Sequence, residues 1–164
     1  MSIHNFHLLQ VQILGQVALA MVLGGLIGLD RELARRPAGL RTHALVGAGS
    51  ALFVSLGDVL ITHFHSAIAN DILRSDPLRL IEAVITGISF LGAGTIIRSQ
   101  SKGRVEGLTT AASILVAAGI GVCVAIHQFI LAIGAMMLVL LILRGLHIVE
   151  AKLGTASPRQ VENE

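Results

Sequence analysis

The sequence predicts an all-α membrane protein, a bundle of five transmembrane helices. Three observations carry that prediction. Five long apolar stretches fill most of the 164 residues, charges are almost absent inside them, and basic residues alternate between the segments that join them. Composition agrees: hydrophobic residues make up 54% of the chain, charged residues 13%, and the mean hydropathy is +0.81. A soluble domain is nearer a quarter charged, so a soluble all-α protein with buried helices is disfavoured.

The spans read as Leu8–Leu29, Thr42–Phe64, Leu78–Ile97, Leu108–Ile126 and Gln128–Leu143. Each is about as long as a crossing of a ~30 Å hydrocarbon core requires at ~1.5 Å per residue. The first follows MSIHNFH, which has no basic residue, and no small-residue cleavage pattern follows it, so a retained helix is expected rather than a signal peptide. The second starts after Pro37 and Gly39, which end a helix and permit a turn, with Thr42 as its expected N-cap. The third contains Thr86-Gly87-Ile88-Ser89-Phe90-Leu91-Gly92-Ala93-Gly94-Thr95, poor in strong helix formers. A kinked or unwound helix packed inside the bundle is expected there. The fourth follows a turn at Gly107, with Thr109 or Thr110 as cap. Almost nothing separates the fourth span from the fifth at His127 and Gln128, which predicts a tight hairpin in preference to one very long helix. Residues 1–150 then form the transmembrane domain and 151–164 a flexible polar tail.

Loops one and three and the tail hold ten Lys and Arg residues, and the opposite side holds two, Arg74 and Arg79. The positive-inside rule places the N-terminus outside and the C-terminus in the cytoplasm. Cys123 is the single cysteine, so no intrachain disulfide forms. Trp and Tyr are absent, which leaves interface anchoring to Arg, Lys, His and Phe. Small residues mark helix contacts in lipid, and Gly24, Gly28, Gly87, Gly92 and Gly94 are the candidate packing positions.

A weak internal repeat runs at an offset of 68. Leu23-Gly24-Gly25 aligns with Leu91-Gly92-Ala93, and Arg36-x-x-Gly39-Leu40-x-Thr42-x-Ala44 aligns with Arg104-x-x-Gly107-Leu108-x-Thr110-x-Ala112. Either the first four helices are two parallel hairpin repeats followed by a fifth helix, or shared constraints on membrane hairpins produce the matches.

The first basic loop packs six charges into twelve residues, Asp30 to Arg41. Glu32 and Arg36 are four apart and can pair on a continued helix. Asp30, Arg31, Glu32, Arg36, Gly39, Arg41, Thr42 and His43, with Arg104, Gly107, Thr109 and Thr110 of the third loop, form the candidate cytoplasmic motif. Two helix N-termini beside several arginines favour an anion: phosphate, a lipid headgroup or a partner's carboxylates. The alternative is an ordinary solvated loop.

Asp58 and Glu82 are the only acids within the spans. They share a depth of roughly 22–24 Å from the cytoplasmic end, near the outer interface. Two such carboxylates could bind a divalent cation, share a proton, or snorkel to water. His63 and His65 lie close outside. No acid occupies the midplane, so no continuous ion path is evident. No nucleophile–base pair, metal-ligand cluster or phosphate loop stands out, and Ser50, Ser55 and Ser113 have no neighbouring base in sequence. A non-catalytic protein is expected, with no cofactor beyond a candidate magnesium ion and with no nucleic-acid partner.

Gly24-x-x-x-Gly28-x-Asp30-Arg31-Glu32, Arg36-Pro37-Ala38-Gly39-Leu40-Arg41-Thr42-His43, Thr86 to Gly94, and Gly107-Leu108-Thr109-Thr110-Ala111-Ala112-Ser113 together resemble the MgtC/SapB family of bacterial inner-membrane proteins. The resemblance covers roughly residues 20–125. Two positions depart from it: Asp30 stands where the family usually has Glu, and Leu115 where it usually has Trp. The chain resembles the short form, without the C-terminal soluble domain some members carry. The resemblance implies adaptation to low magnesium and, in pathogens, survival in host phagocytes. It leaves two activities open. One is a regulator that binds other membrane proteins, the ATP synthase among them; apart from the resemblance, the close-packing small residues lead us to expect a homo-oligomer in the bilayer. The other is a transporter of magnesium or another cation.

Overall fold

The computed structural model describes residues 3–67, 77–97 and 106–152. They form five helices: α1 (Ile3–Leu33), α2 (Leu40–Ala67), α3 (Pro77–Ile97), α4 (Leu108–Ala125) and α5 (Phe129–Lys152). Among the described residues there is no strand. The all-α expectation holds, and each helix corresponds to one of the apolar stretches. Four are long and apolar enough to cross a membrane: His7–Leu33, Leu40–Ile61, Leu78–Ile96 and Leu108–Ala125. The apolar part of α5, Phe129–Gly145, is shorter.

Long-range bonds fix how the helices alternate. Arg31 near the end of α1 reaches Thr110 at the start of α4. Arg144 of α5 reaches Asp30 of α1. Gly107, before α4, packs on Thr95 near the end of α3. One end of the bundle therefore collects the ends of α1, α3 and α5 and the starts of α2 and α4. The other end holds the α4–α5 hairpin, close to Gln12 and Gln16 of α1. The alternation predicted from the charges is the alternation the chain adopts.

Two turns end in the same way. At the end of α1, Arg35 is left-handed (φ 54), and the Arg35 and Arg36 amides donate to the Glu32 and Arg31 carbonyls. At the end of α4, His127 is left-handed (φ 60), and the His127 and Gln128 amides donate to the Val124 and Cys123 carbonyls. Both are Schellman terminations, which satisfy carbonyls that a helix end leaves open. The tight hairpin after α4 is thus as expected. The first loop differs from expectation: Arg35, not Gly39, takes the left-handed conformation, and α2 begins at Leu40, so Thr42 lies inside its first turn and is not the cap.

The core lies between α1, α2 and α4, with α5 packed alongside. Ala20, Leu23 and Ile27 meet Ala51, Val54, Ile120 and Val124, with Ala132 and Met136 from α5. Lipid gives helices no hydrophobic reason to associate, so close backbone contact must supply the attraction. A Cβ on Gly24 would stand 2.5 Å from the His43 carbonyl oxygen, and one on Gly28 would stand 2.6 Å from that of Gly39. Only glycine fits at either place.

α3 is placed differently from expectation. It is a continuous helix from Pro77 to Ile97, and only 6% of its spanning window is buried, against 56% for α4. Gly87 and Gly94 have open space where a side chain would be, and only Gly92 packs, against Ala111. The reason it stays helical is the solvent: on the bundle's surface in lipid, an unwound turn would leave amides unpaired, which costs more than glycine's weak helix propensity. Beside it, Leu115 lines an apolar notch of about 240 Å³ between α3 and α4, at the position where the resemblance expects Trp.

The offset-68 repeat has a structural counterpart. Gly24 packs on His43 and Gly28 on Gly39; shifted by 68, Gly92 packs on Ala111 and Ile96 on Gly107. The hairpins α1–α2 and α3–α4 share this contact register.

Candidate functional site at the basic end

The end that gathers the arginines is built from hydrogen bonds between α1, α2 and α4. Its core is apolar at most positions, so each polar side chain drawn into it needs a partner. Arg31 sits on the inward face of α1 and is only 5% exposed. Its Nη2 donates to Thr110 Oγ1 at 3.2 Å, and its Nε is buried with no acceptor. One residue on, Glu32 points out. Its Oε2 accepts from the Leu40 amide at 2.8 Å, capping the start of α2. The expected Glu32–Arg36 pairing is replaced by this cap, because the chain leaves the helix at Arg35. Gly39 makes room: a Cβ there would stand 2.7 Å from the Glu32 carboxylate. Asp30 accepts from Arg144 Nε at 2.8 Å, which ties α5 to α1.

His43 is the centre of the tie between α2 and α4. It is fully buried, with Nδ1 2.9 Å from the Gly39 carbonyl and Nε2 2.9 Å from Ser113 Oγ. The Ser113 hydroxyl also lies 2.8 Å from the Thr110 carbonyl. So Ser113 does have a neighbouring base, 70 residues away in sequence. A serine beside an imidazole whose other nitrogen is held resembles an activated nucleophile. Here both groups are buried, and neither is among the residues that line the three grooves beside α3. The pair works as a structural tie.

Thr110 is not a cap either. Gly107 occupies the N-cap of α4 in a left-handed conformation (φ 93), as the turn expectation has it, with no side-chain cap. Thr109 is exposed, as are Arg36 and Arg41, while Arg104 lies outside the described residues.

The MgtC family profile matches residues 17–152, which includes all of this cluster. The chain belongs to the MgtC family. It is 38% identical over 133 residues to the putative magnesium transporter YhiD of Escherichia coli K12, covering 80% of this chain and 59% of the relative. It is 40% identical over 121 residues to protein MgtC of Salmonella typhimurium LT2, covering 74% and 46%. It is 42% identical over 110 residues to an uncharacterized protein of Haemophilus influenzae, covering 67% and 45%. The chain spans about half the length of the curated relatives it matches. No solved structure matches it.

In this MgtC-family chain the two acids of the spans stand apart from the basic-end cluster. Asp58 on α2 and Glu82 on α3 are both exposed on the bundle's surface. Among the described residues no group of three His, Cys, Asp or Glu side chains could hold a metal ion.

The opposite end carries a second polar cluster that the sequence reading missed. Gln16 Nε2 lies 3.3 Å from the Ala125 carbonyl and 3.0 Å from His127 Nε2, and Gln16 Oε1 accepts from Ser55 at 3.2 Å. Gln12 Nε2 lies 2.7 Å from the same imidazole nitrogen. The available signal was Gln12 and Gln16 four apart on one face of an otherwise apolar helix.

Proposed function

We propose that this chain is a non-catalytic regulator of other membrane proteins in the bacterial inner membrane, serving adaptation to low magnesium. The N-terminus lies outside, and the basic end faces the cytoplasm. The observation that carries this reading is the exposure of α3. Its apolar surface, with Phe90 85% exposed and with open Gly87 and Gly94, offers lipid or a partner helix a close approach. The ATP synthase is the partner class that the family resemblance suggests, and a second copy of the chain can use the same surface. Survival in host phagocytes is the setting that the resemblance suggests in pathogens. The magnesium in the name of the Escherichia coli relative supports the physiological link.

The alternative is cation transport through Asp58 and Glu82, favoured by their shared depth. Against it stands their place on the outside of the bundle, where a carboxylate lines no enclosed path.

Two measurements test the proposal. A photo-crosslinker at Phe90 should trap a subunit of the ATP synthase in cells, and Gly87→Leu should abolish the product while the protein still folds. Magnesium flux into proteoliposomes should be no greater than in empty vesicles. Saturable flux that vanishes in the Asp58→Asn, Glu82→Gln double variant would establish the transporter instead. Cysteine tags at Ser66 and Lys102, in a chain with Cys123 replaced, should label from opposite sides; labelling from one side would overturn the topology.

A further inference from the structure

We propose that the start of α4 and the Arg31 guanidinium together bind a phosphate group, carried by an anionic phospholipid or free in solution. The inference does not depend on the regulatory reading. It begins with a buried charge that has no ion-pair partner among the described residues. Arg31 is only 5% exposed. Its hydrogen bond is to a neutral hydroxyl, Thr110 Oγ1, and Nε meets no acceptor. An isolated buried cation is strongly unfavourable unless an anion or a set of acceptors neutralises it.

Asp30 attracts Arg31 from the next position, but no nearby carboxylate bonds to it. Asp30 is bonded to Arg144, Glu32 to the Leu40 amide, and Glu106 is exposed and makes no bond to Arg31. The field at this spot is positive from a second source. Thr110 is the third residue of α4, so the guanidinium stands at a helix N-terminus, where the free amides and the helix dipole carry partial positive charge. Gly107 supplies no side-chain cap to those amides.

The first hairpin offers a contrast. There the N-terminus of α2 receives a carboxylate, Glu32, on its Leu40 amide. Shifted by 68, Leu40 becomes Leu108 and Glu32 becomes Gln100, so the second copy carries no acid at that position. A tetrahedral oxyanion suits this positive spot. Arginine's planar fork pairs with phosphate oxygens, and helix N-termini bind phosphate. Arg31 lies two residues before the end of α1 and of its apolar stretch, His7–Leu33, and the ends of such stretches are where membrane helices carry their headgroup-facing basic residues.

The test is thermal unfolding of the full chain in a neutral detergent after delipidation in phosphate-free buffer. Inorganic phosphate is titrated against chloride at equal ionic strength. Separately, phosphatidylglycerol is titrated against phosphatidylcholine. A saturating ligand should raise the Tm by on the order of 5 °C at a hundredfold excess over Kd. A rise with both phosphate and phosphatidylglycerol identifies the phosphate group alone as the ligand; a rise with phosphatidylglycerol alone identifies the lipid. Arg31→Gln should lose the rise, whereas Arg79→Gln, an exposed arginine at the opposite end of the bundle, should keep it. If Arg31→Gln does not fold, retention of phosphatidylglycerol by the wild-type chain in native mass spectrometry decides the lipid arm, and the wild-type phosphate titration decides the other. A wild-type Tm unmoved by both ligands overturns the proposal, as does an equal rise in a folded Arg31→Gln variant.

Discussion

The two hairpins follow one sequence template and pack in two ways. In α1–α2, glycines bring backbones so close that no side chain fits: a Cβ on Gly28 would meet the Gly39 oxygen at 2.6 Å and the Leu40 Cα at 2.8 Å. In α3–α4, the corresponding register is looser, and a Cβ on Gly92 would stand 3.4 Å from Ala111, an ordinary van der Waals contact. The difference is reinforced by polar ties. Glu32 links α1 to α2, and His43 and Arg31 link both to α4, whereas most of α3 lies outside the bundle. One hairpin is therefore scaffold, and the other presents a helix to its surroundings. A repeat in sequence does not imply equal burial; the side chains around the shared glycines decide it.

The largest expected effect breaks that contrast at its root. Gly28→Ala should cost about 3 kcal/mol or more, because its contacts are backbone atoms and the His43 Cβ, none of which can swing away. Gly92→Ala should change stability by less than about 1 kcal/mol and can gain from helix propensity. Thermal unfolding of both variants in detergent checks the pair. Similar losses would mean the hairpins are equally tight.

The sequence made the helices legible because hydropathy and charge alternation are local signals. The bounds of α4, Leu108–Ala125, differ from the expected Leu108–Ile126 by one residue. It was less informative about which helix is central. A glycine-rich stretch such as Thr86–Thr95 reads as close packing, yet glycine contributes packing only where another backbone faces it, and Gly87 and Gly94 face none. The site was half legible. Asp30, Arg31 and Glu32 stood out by charge, but three adjacent residues on a helix point in three directions, and so take three partners: Arg144, Thr110 and the Leu40 amide. The His43–Ser113 bond was hidden by its separation of 70 residues and by the ordinary look of a serine in an apolar helix.

That bond gives the next effect. Ser113→Ala removes the partner of a buried imidazole nitrogen and should cost about 1–3 kcal/mol, the range for leaving a buried polar group unsatisfied. The loss should appear as separation of α4 from α2, read by a disulfide or distance label between those helices. A variant as stable as the parent would show that water reaches His43.

Glu32→Gln should have a smaller effect, about 1 kcal/mol, since the amide oxygen still accepts from Leu40 but without charge, at an exposed site. Hydrogen exchange at Leu40 is the direct readout. Slower exchange in the variant would contradict the capping role.

The smallest expected effect compares the two Schellman turns. Arg35 and His127 both sit at left-handed φ, 54 and 60, where an L side chain costs roughly 1 kcal/mol and glycine costs nothing sterically. Arg35 is exposed, and among the described residues no bond of its side chain ties the loop, so Arg35→Gly should stabilise the chain by up to about 1 kcal/mol. His127 adds something the backbone alone does not supply: its Nε2 lies 2.7 Å from Gln12 Nε2 and 3.0 Å from Gln16 Nε2, and its ring stands edge-on to Phe129 at 5.8 Å. His127→Gly should therefore lose more than the backbone gains, a net destabilisation of about 1 kcal/mol. Opposite signs in two substitutions of the same geometry would show that the turn at the basic end is held by its backbone and the far turn by its side chains. Stabilisation by both would mean that the glutamine–histidine cluster contributes nothing.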